Sequence, residues 1–171
     1  SNHRTDEYGG SLENRLRLPL MVIQAVIDVW GKDKVGVRVG PTGSFNGMHD
    51  DNPIETFTAF AKHLNDMGIA YLEVVEDSFQ GNHASGRPED IIDAIRAVYK
   101  GIYIANGAYT AEEARMRISE GRCDLVTFGR PFIANPDLVA RFRKGAELSN
   151  FDLATLYSIG AEGYTSYPAL S

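Results

Sequence analysis

The segment D-L-V-T-F-G-R-P-F-I-A-N-P-D, Asp124 to Asp137, contains the residue types needed to hold an anion. A short apolar run, Leu125 to Phe128, ends in Gly129-Arg130, and a fresh helix start follows at Asn135-Pro136-Asp137. A glycine there lets backbone N–H groups approach a ligand closely, and the arginine offers a fixed bidentate fork that suits phosphate. A second small-residue turn, Asn106-Gly107-Ala108, follows the preceding apolar run. Two such turns after consecutive strands can form the shared phosphate pocket that barrels build after their seventh and eighth strands. Helix N-termini at both turns would add favourable dipoles. Arg38 is the third candidate. Between Val35 and Val39 the three valines face one way while Gly36 and Arg38 face the other, so a cation stands where a core residue is expected. Each feature also has a plainer reading: a strand arginine salt-bridged to a carboxylate for Arg38, an ordinary strand-to-helix turn for Asn106–Ala108, and a helix-side arginine for Arg130.

The elements that must position these residues follow from periodicity and punctuation. The first ten residues, S-N-H-R-T-D-E-Y-G-G, read as a loop. Ser11 then offers an N-cap, and Leu12, Leu16, Leu20, Ile23, Ile27 and Trp30 recur at helical spacing up to Gly31. Pro19 inside that pattern predicts a kink or a helix that begins properly near it. After the strand at Val35 to Val39, Pro53 opens a helix that stops at Gly68. The cycle repeats with a strand over Ala70 to Val75, a helix around Ile91 to Val98 and a strand over Ile102 to Ala105. Thr110 and Glu113 form a capping box for a helix running to Gly121. Leu125 to Phe128 is the fourth strand, followed by a helix from about Asp137 to Arg143 and a short tail helix over Asp152 to Gly160. Strands alternating with helices at roughly 30-residue spacing make βαβ units and a parallel sheet, an α/β fold. Four strands and four to five helices are half the complement of a (β/α)8 barrel. The edges at Val35 to Val39 and Leu125 to Phe128 are left unpaired, and open edges of a parallel apolar sheet want a partner.

The 171 residues suffice for one domain or a large piece of one, and the net charge of −6 with interspersed signs speaks against a nucleic-acid footprint. No apolar run approaches a membrane span and no signal-peptide pattern is present, which predicts a cytoplasmic protein without membrane contact. Cys123 cannot form an internal disulfide and reads as a small buried hydrophobe. His3, His49, His63 and His83 show no ligand spacing, so no metal is expected. No dinucleotide fingerprint, Walker loop, serine elbow or zincin motif occurs. The residues alone therefore point to a phosphate-bearing cofactor held by turns, and to no particular reaction.

Several longer stretches carry a resemblance: N-H-R-T-D-E-Y-G-G-S-L-E-N-R (Asn2 to Arg15), V-G-V-R-V-G-P (Val35 to Pro41), N-G-A-Y-T (Asn106 to Thr110), F-G-R-P-F-I-A-N-P-D-L (Phe128 to Leu138) and G-A-E-G-Y-T-S-Y-P (Gly160 to Pro168). In these the chain resembles the Old Yellow Enzyme family of FMN-dependent NAD(P)H oxidoreductases, and within it the N-ethylmaleimide and pentaerythritol tetranitrate reductase type. Members are eight-stranded barrels about twice this length. The match is to their second half, so the resemblance implies that residues 1–171 are the C-terminal half of an FMN-binding barrel, strands five to eight. It also implies that Arg38 contacts the pyrimidine edge of the flavin, where a fixed positive charge stabilises the anionic reduced form. Gly107, Ala108, Gly129 and Arg130 would hold the FMN phosphate, and Phe45 and Tyr157 would line the face where substrate stacks. Two departures are small: Gly40 replaces the usual serine of V-R-L-S-P, and Asn106 stands where a small residue is common.

In the family, the histidine and asparagine (or second histidine) that bind the substrate oxygen, and the tyrosine that protonates the substrate, precede the stretch matched here. No catalytic residue is thus expected within this chain, and nothing singles out Tyr8 or Tyr71 as a substitute. The implied function is the FMN-binding half of an ene-reductase or nitro-ester reductase, moving hydride from NAD(P)H through FMN to activated alkenes or nitro compounds and partnered by an N-terminal half barrel. A stand-alone half barrel that pairs with a second copy of itself, or binds FMN or phosphate without catalysis, is the alternative. A truncated product with no independent role is the third.

Overall fold

In the computed structural model, residues 1–76, 88–157 and 159–170 are described, and the side chains of Phe45 and Pro88 are not. Helix α1, Leu12–Trp30, starts where Ser11 accepts the N–H of Asn14 at 3.2 Å, and it ends at Gly31. It runs through Pro19 without interruption. A proline removes one donor from a ladder of many, and a helix of this length tolerates the loss. Strand β1, Gly36–Val39, follows. Helix α2, Pro53–Met67, has Asn52 as N-cap, a proline in its first turn and a left-handed Gly68 as its stop. Strand β2, Tyr71–Val75, leads to α3, Pro88–Val98, and β3, Ile102–Asn106, leads to α4, Ala111–Ser119. The capping box of α4 forms as expected, with Thr110 and Glu113 each accepting from the other's backbone N–H. Strand β4, Leu125–Thr127, is followed by α5, Arg130–Ala134, and α6, Leu138–Lys144.

The four strands pair in parallel in chain order, β1-β2-β3-β4, so β1 and β4 are the edges. The register stacks Val39, Val74, Ala105 and Val126 in one row and Val37, Leu72 and Tyr103 in another. These residues face the helices and join a core with Leu64, Ile91, Ile95 and Tyr99. Among the described residues no helix covers the opposite face, and Tyr71, Ile102 and Leu125 are exposed there. Burying such a side chain fully is worth roughly 1.5–3 kcal/mol, so the second face forgoes a substantial stabilisation. Among the described residues no helix is long and apolar enough to cross a membrane.

The tail is turns rather than the helix expected over Asp152 to Gly160. Isolated turn bonds, Thr155 N–H to Asp152 O at 3.2 Å and Thr165 N–H to Ala161 O at 2.8 Å, replace a helical ladder. Three causes are visible. The Asp152 carboxylate takes the Ala154 N–H at 2.9 Å in a local turn, and Leu153 and Ile159 remain exposed, so no apolar stripe rewards helix formation. Gly163, at φ 74, lies against Thr155 where a Cβ would not fit.

A polar clamp fastens this tail to the α5–α6 segment. Asn135, fully buried, accepts the Ser149 N–H at 2.8 Å and donates to Ser149 O at 3.0 Å. Arg141, also buried, donates to Asp137 at 2.8 Å and to Glu147 O at 2.8 Å, while Asp137 accepts the Leu170 N–H at 2.8 Å. The Arg141 hydrogen bond, followed by that from Leu170, holds the Asp137 carboxyl below its usual range. A carboxylate with a lowered folded pKa stabilises fully above its unfolded value, about 4, and the contribution is lost as pH falls through the folded pKa. Amide exchange in residues 147–170, corrected for intrinsic rate, should therefore accelerate below about pH 4, and Asp137→Asn should remove that dependence. Exchange in wild type that is flat down to about pH 2 would show that the clamp does not hold the tail.

Candidate functional site

Parallel pairing brings the carboxyl ends of all four strands to one end of the sheet, and the candidate residues gather there. Arg38 lies on the uncovered face. Its Nη2 donates to Asn106 Oδ1 at 3.0 Å, and its Nε lies 3.4 Å from Glu73 Oε1. Asn106 Nδ2 donates to Thr127 Oγ1 at 2.9 Å and to Thr127 O at 3.2 Å. Thr127 Oγ1 in turn donates to Glu73 Oε1 at 2.7 Å, which closes a ring across four strands. Arg38 is thus the salt-bridged arginine of the plainer reading. Its side chain nevertheless remains 58% exposed against 17% for Glu73, and two of its five N–H groups make these contacts. The ring also fixes the Asn106 amide, with its oxygen toward Arg38 and its nitrogen toward Thr127.

The two small-residue turns are neighbours because β3 and β4 are paired. Gly129 is exposed, and a Cβ there would meet nothing within 4 Å; Ala108 and Arg130 are exposed as well. Gly107 is closer-fitting, since a Cβ would lie 3.1 Å from the Tyr109 ring. The expected helix dipoles are weaker than foreseen. Helix α5 is a single turn of five residues, and at α4 the Thr110 N–H is already taken by Glu113. These helix ends therefore offer little to an anion. A cavity of about 420 Å³ beside Gly129 is lined by Ile133, Leu156, Tyr157 and Tyr164, so the structure brings Tyr157, 91% exposed, to the same side as the β4 turn. Phe45 opens the short turn Phe45–Gly47 after β1, and its side chain lies outside the described residues. His83 lies outside them too.

Sequence reasoning missed Glu73 and Thr127, which brace Arg38. Glu73 sits opposite Arg38 in the β1–β2 register, so an acidic residue on the matching face of the next strand was the available signal. It also missed Glu76. This carboxylate, 2% exposed, accepts from Tyr103 Oη at 2.7 Å, from Tyr109 Oη and from Arg117 Nη2. Arg117 lies 4.9 Å over the Tyr109 ring, and Arg96 lies 4.9 Å over the Tyr103 ring. Burial first, then the Glu76 charge and its hydrogen bond, push both tyrosine hydroxyls well above their usual pKa. Cys123 beside this group is a buried thiol, raised chiefly by burial.

A sequence profile of the NADH:flavin oxidoreductase / NADH oxidase family matches residues 1–149. The chain belongs to that family. Morphinone reductase is 44% identical with a TM-score of 0.91, covering 99% of this chain and 45% of that enzyme, and its complex with tetrahydroNAD gives a TM-score of 0.89. The old yellow enzyme homologue from Zymomonas mobilis is 40% identical with a TM-score of 0.91, over 99% of this chain and 48% of that one. The protein named "Probable flavin mononucleotide-dependent alkene reductase" of Leishmania infantum is 40% identical over 168 residues, 98% of this chain and 45% of the relative. The chain therefore spans about half the length of the Old Yellow Enzyme homologues it matches, and its four parallel strands correspond to part of their TIM barrel.

The buried Glu76–Arg117 pair gives a direct stability test. Arg117→Met leaves a buried carboxylate without its cation, which should cost about 3–5 kcal/mol in urea unfolding. Adding Glu76→Gln to that variant should recover much of the loss. A cost for Arg117→Met below about 1 kcal/mol would mean that the pair behaves as a surface salt bridge.

Proposed function

We propose that this chain forms the phosphate and pyrimidine side of an FMN site in an NAD(P)H-dependent ene-reductase or nitro-ester reductase. On this reading it corresponds to strands five to eight of the barrel and works in the cytoplasm, where Cys123 stays a thiol. The observation that carries it is the gathering of Arg38 and two adjacent small-residue turns at one end of one sheet. The residues fit the group. Gly129 leaves open space where a side chain would stand, Arg130 follows it, and Arg38 presents an exposed guanidinium backed by a carboxylate. Gly107, Ala108, Gly129 and Arg130 would hold the phosphate, Arg38 would meet the pyrimidine edge, and Phe45 and Tyr157 would line the substrate face. The chemistry that FMN would supply is hydride transfer from a reduced nicotinamide to an activated alkene or nitro compound.

Arg38 would contribute a fixed positive charge held in place before any ligand arrives, because the Glu73–Thr127–Asn106 ring has already fixed its orientation. The His/Asn pair and proton-donating tyrosine of the family are assigned to an N-terminal half barrel. That partner would also pair the edges β1 and β4 and cover Tyr71, Ile102 and Leu125. The same exposed face favours a second reading, in which two copies of this chain close on each other without catalysis.

Flavin absorbance and NAD(P)H oxidation test the proposal. The purified chain should bind FMN without turnover, and Arg130→Ala should weaken binding roughly tenfold or more, as expected for a charge-assisted phosphate contact. Co-expression with the first half of a related enzyme should restore NAD(P)H oxidation. Absence of flavin from both preparations, or turnover by this chain alone, would overturn it. Light scattering that finds a compact dimer unaffected by the added half would favour the self-paired reading.

A further inference from the structure

Residue 76 holds the Asn106–Tyr109 turn at both ends. Its backbone N–H donates to Asn106 O at 2.7 Å, and its carboxylate accepts the Tyr109 hydroxyl. Only Gly107 and Ala108 lie between these two anchors. The Tyr109 ring passes so near Gly107 that a Cβ would stand 3.1 Å from its Cε2. Arg117 lies 4.9 Å over the ring while also paired with the same carboxylate. Glu76 itself is sealed from solvent and can touch no ligand. A buried carboxylate in this place is costly unless paired, and its pairing with Arg117 and two tyrosine hydroxyls satisfies it.

We propose that Glu76, acting through the Tyr109 hydroxyl, is a positioning residue that fixes the Gly107–Ala108 backbone in the shape that receives a phosphate. The inference rests on the reading of these turns as the FMN phosphate site. It explains why the turn can serve although the first N–H of the α4 capping box is already occupied: the turn's own backbone is set from below by the carboxylate. It also separates the roles of two hydroxyls on one carboxylate. Tyr109 borders the turn, whereas Tyr103 lies within β3 and faces the core.

Tyr109→Phe removes one hydroxyl and keeps the ring. Titrations of wild type and variant with FMN and with riboflavin separate the phosphate contribution from the rest of the ligand. The variant should bind FMN about tenfold more weakly, riboflavin binding should be unchanged, and amide exchange at Gly107 and Ala108 should accelerate. Tyr103→Phe, which takes a hydroxyl from the same carboxylate away from the turn, should lower the unfolding midpoint while leaving the FMN-to-riboflavin ratio intact. An unchanged ratio and unchanged exchange in Tyr109→Phe would overturn the proposal, as would equal losses for both flavins or an equal change of ratio in Tyr103→Phe. If wild type shows no preference for FMN over riboflavin, the phosphate reading itself fails, and the exchange comparison alone then decides whether Glu76 sets the turn.

Discussion

Parallel pairing in chain order is the constraint on which the rest depends. Because parallel crossovers are right-handed as a rule, a sheet that never reverses its order receives its helices on one face. Two results follow. The helix-side face buries Leu72, Val74, Tyr103 and Ala105, while the other leaves Tyr71, Ile102 and Leu125 in water. A doubly wound sheet would bind at the crevice where strand order reverses, but this sheet has no reversal. Its available site is the one at the carboxyl ends of the strands, the end a barrel uses.

Within that end, Asn106 joins two functions. Its side chain bridges Arg38 and Thr127, and its carbonyl oxygen accepts the Glu76 N–H while its residue begins the Gly107–Ala108 turn. Arg38 and the Gly107–Ala108 turn are thus anchored through one residue. Asparagine suits the place because its amide presents an acceptor toward the guanidinium and donors toward the threonine at once. A small residue or glycine at this position would leave Arg38 with Glu73 alone.

The helices were legible because their signals are local: Ser11, Pro53, Thr110 with Glu113, and Gly68 each act within a few residues. Arg38 was legible in the same way, since alternation along β1 needs no partner strand. Glu73 and Thr127 were not, because their meeting depends on register between strands far apart in sequence. Glu76 was hidden for a further reason. One residue past the end of β2 it lies among the core side chains, and only the fold brings Tyr103, Tyr109 and Arg117 to it. The tail misled in the opposite direction. Its sequence permits a helix, but with Leu153 and Ile159 exposed there is no packing to offset the cost of forming one, and the Asn135 and Asp137–Arg141 clamp holds it as turns.

A net charge of −6 says little about where individual charges stand. In the Arg38–Glu73 and Arg117–Glu76 pairs the carboxylate is the inner partner: Glu73 lies inside Arg38, and Glu76 lies inside Arg117. A carboxylate placed inward can fix a guanidinium in position, but burial is costly unless donors satisfy it. Thr127 and Arg38 do so for Glu73, and two tyrosine hydroxyls and Arg117 for Glu76. Arg38, 58% exposed, then faces outward already oriented, whereas Arg117, 18% exposed, stays packed over the Tyr109 ring. Local field at a site is set by which member of each pair meets the ligand, and the total over the chain says little about it.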